Sequence, residues 1–144
     1  MRVKFHYNER KPGIPGKALL KTMIAQQFRL HGKKLEAISF IFCSDQYLLE
    51  INRQFLRHDF FTDIITFNLS EDPETISAEV YISVDRVKEN AISHRVALID
   101  ELLRVIFHGT LHLVGFGDKL KREKTIMRAK EDELIGQFHK RNKT

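Results

Sequence analysis

Residues 108–118 read HGTLHLVGFGD, with histidines four apart, a glycine three later and an aspartate three after that. If the stretch is helical, His108 and His112 share a face about one turn apart, because i and i+4 lie on the same side. Two imidazoles so placed can bind one cation, as on the zinc helices of hydrolases. Gly115 can end the helix with positive φ and turn the chain back, which brings Asp118 within reach as a third ligand. A catalytic zinc site takes three protein ligands and keeps a position for water. The competing reading makes both histidines hydrogen-bonded core residues. Three ligand-type residues in this spacing favour the metal, and Zn2+ suits two histidines and a carboxylate best. Leu111, Leu113 and Val114 flank the pair and argue against simple surface histidines.

Glu101 and Arg104 lie one or two turns before His108 on the same side. Glu101 reads equally as an acceptor that orients an imidazole and as a first-turn carboxylate favoured by the helix dipole. Zinc peptidases built on such a helix carry glutamate directly after the first histidine, as general base. Gly109 stands there instead and cannot accept a proton. Peptide hydrolysis by that route lacks its base, and the small residue is expected to leave room beside the metal.

The helix carrying the pair should run from a cap at Asp100 to a stop at Gly115 and be buried, being apolar on most sides. VKFHYN (3–8) alternates and reads as a strand, and LEAISFIFCS (35–44) is rich in β-formers. Pro15 is placed to start a helix through about residue 30. Ser44 or Asp45 can cap a second helix, with Tyr47, Leu48, Ile51 and Phe55 at helical spacing. DIITFNLS (63–70) and TISAEVYIS (75–83) read as two strands joined by a turn at EDPE. Residues 84–95 read as an exposed helix. The last segment, 120–139, puts Leu120, Met127, Leu134 and Phe138 on one face. Strands and helices mix without strict βαβ alternation, so the expected fold is α+β: one domain, 1–144, with a mixed sheet of about four strands packed with helices and a metal site on a buried helix.

The composition agrees. The chain has 144 residues, 42% hydrophobic, enough for one core and too apolar for disorder. No apolar run approaches a membrane span, and MRVKFHYNER lacks the apolar stretch of a signal peptide. Cys43 is the single cysteine, so no disulfide framework forms within the chain. Cytoplasmic residence is the resulting expectation. The formal charge is +5, compatible with a polyanionic partner. Much of it sits in 119–130 and 139–143, beside the histidine motif.

The motif resembles the signature of the YbeY-type endoribonucleases, bacterial rRNA maturation factors, whose pattern is H-G-x-L-H-x-x-G-[YF]-x-H. His108, Gly109, Leu111, His112, Gly115 and Phe116 match it, and Gly109 is the family residue. INRQFLRHDFFTDIITF (51–67) is similar to the family's L-N-x-x-[YF]-R-x-x-D-x-x-T-D-V-L-S-F, through Asn52, Arg57, Asp59, Thr62, Asp63 and Phe67. Two departures stand out. Asp118 occupies the place of the family's third histidine; its shorter side chain requires a closer backbone, which Gly117 permits. The family's G-D-[IL] reads Ala78-Glu79-Val80, so Glu79 is left out of the site.

The resemblance implies a single α+β domain with a metal at the base of a cleft, cleaving single-stranded RNA in rRNA processing and ribosome quality control. Its partners would be rRNA precursors and the ribosome or ribosomal proteins. Arg57 would grip a phosphate through its planar fork; the plainer reading pairs it with Asp59 or Asp63 in a surface salt bridge. The basic residues after Asp118 would track an RNA backbone or form a solvated face. His58, His94 and Cys43 read as structural. Two other functions fit the ligand spacing: a metallohydrolase acting on peptides or small molecules, and a metal-stabilised ribosome-binding module without catalysis.

Overall fold

Alternation and β-branching set the strands. Val3–Tyr7 (β1) pairs in parallel with Lys34–Cys43 (β2), and β2 pairs in parallel with Thr75–Ser83 (β4). Ile64–Asn68 (β3) returns antiparallel to β4, giving a mixed sheet in the order β1-β2-β4-β3. The computed structural model describes residues 2–143. Its helices are Lys17–Leu30 (α1), Asp45–Leu56 (α2), Val84–His94 (α3), Leu98–Leu113 (α4) and Lys121–Asn142 (α5). The expected α+β class and four-stranded mixed sheet are both observed.

Pleating divides the β3–β4 pair between two helices. Ile64, Thr66 and Val80 meet α4 at Gly109, whereas Ile65, Phe67 and Tyr81 pack with α2 residues Leu48 and Ile51. The main core lies on the α4 side and holds Phe28, Phe40, Phe42, Phe107 and Phe138 with no exposed surface. Helix α4 is buried on nearly every side, through Leu102, Leu103, Ile106, Phe107 and Leu111. Ser44 caps α2 by accepting the Tyr47 N–H at 3.1 Å, as its sequence anticipates.

Several boundaries differ from expectation. Helix α4 begins at Leu98, with Ala97 as its cap, because the Ala97 carbonyl already accepts from the Asp100 and Glu101 amides. Asp100 therefore lies in the first turn, where its carboxylate meets His139 of α5. Helix α3 is not exposed all round: Val84, Val87 and Ala91 bury one face. Gly109 does not open space beside His108. An added Cβ would stand 3.0 Å from Ile64 Cδ1 and 3.2 Å from Val80 Cγ1, so the glycine lets α4 lie close on the sheet.

Candidate metal and RNA site

Helix α4 ends one residue after His112, at Leu113, in a reversal that fixes where Asp118 falls. Gly115 takes φ +114°, its N–H donates to the His112 carbonyl at 3.1 Å, and the Phe116 N–H donates to Leu111 at 3.0 Å. This is the Schellman arrangement, and it satisfies carbonyls that the helix end leaves free. The chain doubles back along α4, and Asp118 Oδ2 comes to 3.2 Å from His108 Nε2. Gly117 borders the Glu123 carboxylate, which accepts the Leu120 N–H at 2.9 Å and opens α5.

The other nitrogen of His108 is held from α5. Nδ1 lies 2.8 Å from Glu131 Oε2, and Glu131 is buried. Arg104 Nη1 donates to the second Glu131 oxygen at 2.9 Å, and Nη2 donates to Asp132 at 2.6 Å. A carboxylate that takes the Nδ1 proton fixes the ring and its tautomer, leaving Nε2 as the free lone pair. Nε2 and the Asp118 oxygen are then both acceptors, and a proton or a cation must lie between them. Without a cation a proton serves: the Glu131 hydrogen bond holds the His108 pKa above the ordinary imidazole range against the opposing effect of burial, and Asp118 adds to the rise.

His108 and Asp118 are thus brought together, and His112 follows on α4 with an exposed ring. No His112 side-chain hydrogen bond occurs among the described residues, so its nitrogens are available. Among those residues, no three His, Cys, Asp or Glu side chains already form a metal-holding group. The donor set nonetheless fits a zinc ion: an oriented imidazole faces a carboxylate, with a second imidazole four residues along the same helix.

Two cavities meet at His108. One, open and of about 710 Å³, is also lined by Asp118, Lys121, Lys124 and Arg128. The three basic residues are spaced i, i+3 and i+7 and so form one stripe along α5. The second, of about 270 Å³, contains Asp63, Glu101, Arg104 and Glu131. Burial pushes the Asp63 carboxyl above its usual range, although it accepts backbone hydrogen bonds and feels the His108 charge.

The likeness extends over most of the chain. The model of the family described as Endoribonuclease YbeY matches residues 13–139. This chain belongs to the YbeY family. Proteins named Endoribonuclease YbeY from Cytophaga hutchinsonii and Flavobacterium psychrophilum are 55% identical over 98 residues and 49% identical over 102 residues. The first match covers 68% of each chain, and the second covers 71% of this chain and 72% of the relative. The solution structure of TM1509 from Thermotoga maritima has a TM-score of 0.66 at 26% identity, covering 99% of this chain and 95% of that one.

Within this YbeY chain, Arg57 stands apart from the His108 cavities. It is the exposed C-cap of α2, with φ 56° and ψ 30°. Asp59 is taken by Arg53, not Arg57, at 2.5 Å. Among the described residues the Arg57 guanidinium has no hydrogen bond or ion pair. Its register also needs correcting. In the quoted family pattern the arginine follows the aromatic position directly; that place is Leu56 here, and Arg57 lies one residue on. Glu101, considered as a partner for a metal-site imidazole, instead meets His94 Nδ1 at 3.3 Å.

Glu131 escaped the sequence reading. A signal existed: Met127, Glu131, Leu134 and Phe138 follow helical spacing, so the carboxylate sits on the buried stripe of α5. A buried carboxylate requires partners, and nothing in the sequence points to helix α4 as their source.

Proposed function

We propose that this chain is a metal-dependent endoribonuclease that cuts single-stranded RNA during rRNA maturation and ribosome quality control, with Zn2+ held by His108, His112 and Asp118. The observation that carries the reading is His108 fixed between Glu131 and Asp118 in a groove also lined by Lys121, Lys124 and Arg128. The basic stripe supplies a sequence-independent attraction for phosphates that weakens with salt. Zinc at the three ligands would supply Lewis-acid polarisation of a phosphoryl oxygen. Glu131 and Arg104 keep the His108 ring aimed at that point. Asp63 lines the adjoining cavity, and burial raises its carboxyl above the usual range, which suits it to exchange a proton there. rRNA precursors and the ribosome are the partners, and the cytoplasm is the place. No helix among the described residues is long and apolar enough to cross a membrane.

Arg57 enters as an exposed, unpaired guanidinium that grips RNA phosphate outside the metal ligands. Arg57→Ala should therefore keep normal metal content and cleave more slowly, and Arg57→Lys should recover only part of the rate, since a point charge lacks the bidentate fork. Cleavage at the wild-type rate by Arg57→Ala would remove Arg57 from the site.

The reading is tested with highly purified protein on matched single-stranded RNA, duplex RNA and casein, beside His108→Ala purified identically to expose trace ribonuclease. Cleavage of the single strand alone, absent from the variant, supports it. Casein cleavage would support a peptidase, and equal RNA cleavage by both preparations would reveal contamination.

A further inference from the structure

The buried stripe of α2 outruns its partner. Leu48 and Ile51 are buried against the sheet, and Leu49 and Asn52 are buried beside them, but the next positions of the same stripe, Phe55 and Leu56, are 60% and 40% exposed. The following loop adds Phe60 and Phe61, 51% and 50% exposed. Adjacent half-bare aromatics are costly in water, and contiguous apolar patches mark interaction sites.

This loop is a built feature. The carbonyl of buried Asn52 accepts the His58 N–H at 3.1 Å, and its side chain donates to the Phe60 carbonyl at 2.9 Å. Arg57 adopts the left-handed conformation to make the turn. Each ring has a neighbour in the chain yet stays half exposed: His58 lies 5.1 Å from Phe60, Phe67 lies 6.0 Å from Phe55, and the Arg86 guanidinium sits 5.1 Å from the Phe61 ring. A cleft of about 250 Å³ opens beside Phe60 and His58 and is lined in part by Ile64. Ile64 of β3 thus lines both the cleft beside the aromatic loop and the smaller cavity at His108.

We propose that Phe55, Phe60 and Phe61 form a stacking platform for the unpaired bases of single-stranded RNA, a proposal that rests on the RNA-cleavage reading above. Bases offer a flat π-face to any aromatic ring, so such a surface accepts varied sequences. The unpaired Arg57 cation on the same turn complements the phosphates that stacked bases bring with them. A duplex keeps its bases stacked internally and cannot use the platform, so the surface selects single strands. A second protein copy could cover the apolar rings but would leave the Arg57 charge without a role.

The chain contains no tryptophan, so Phe60→Trp and Phe61→Trp each introduce one reporter. Each is titrated with a short single-stranded RNA in the presence of a metal chelator, beside Lys4→Trp on the opposite edge strand. Saturable quenching at positions 60 and 61, absent at position 4 and absent with duplex of the same sequence, is expected. The Phe60→Ala, Phe61→Ala double variant should melt as the wild type does and show a KM for cleavage raised about tenfold or more. Unchanged emission and unchanged KM in a chain that cleaves RNA would overturn the platform and leave the nuclease reading standing. Loss of a dimer in the double variant, with RNA affinity intact, would assign the surface to a second copy and likewise overturn it. Wild-type protein that neither binds nor cleaves RNA would sink both readings.

Discussion

His108→Ala and His112→Ala should each lose the metal and the ribonuclease activity together while the fold largely survives. Each would remove one of the three proposed ligands, and a site left with two would hold zinc far less tightly. Metal stabilisation of transition-state charge is worth several kcal/mol, so cleavage should fall about a thousandfold or more. The two variants should differ in stability. His112 is exposed and makes no side-chain hydrogen bond among the described residues, so its loss should change stability by no more than about 0.5 kcal/mol. His108 bridges Glu131 and Asp118, and its removal strips a partner from a buried carboxylate, which should cost about 1–3 kcal/mol. Elemental analysis, cleavage rates and chelator-treated thermal melts check the set. Full zinc occupancy in either variant would refute the ligand assignment.

Glu131 carries the second large effect. Partners that orient a ligating histidine typically change metal affinity by about 10–100-fold when replaced. Glu131→Ala should show a loss of that order in a zinc competition titration. It should also destabilise the chain, because Arg104 loses one of its two carboxylates. Glu131→Gln keeps an acceptor for the His108 ring but not the charge, and should fall between wild type and Glu131→Ala in zinc affinity. A purely structural Glu131 would give destabilised variants whose folded fraction binds zinc with wild-type affinity.

Local signals were legible where one segment decides its own structure. The Ser44 cap, the Gly115 stop, the strands of the mixed sheet and the i,i+4 pairing of His108 with His112 follow from short-range spacing. So does the return of the chain that brings Asp118 to His108, because the reversal is encoded within a few residues. Contacts between distant segments were not legible. Glu131 reaches His108 from 23 residues away, and which face of α5 meets α4 is settled by packing of Met127, Leu134 and Phe138. Gly109 shows the same limit: its motif position was plain, but its role in seating α4 on Ile64 and Val80 needed the sheet. Phe55 followed helical spacing with Leu48 and Ile51, yet the pattern does not reveal where the covering sheet stops.

Asp118 is where this chain leaves the histidine pattern of its family motif, so it tests the metal assignment most directly. The measurement is zinc content per chain, by elemental analysis, in wild-type protein and in Asp118→Ala purified side by side. About one zinc per wild-type chain is expected, with a sharp loss in the variant and an unchanged far-ultraviolet spectrum. An Asp118→Ala protein that holds zinc as fully and as tightly as wild type would contradict the metal assignment.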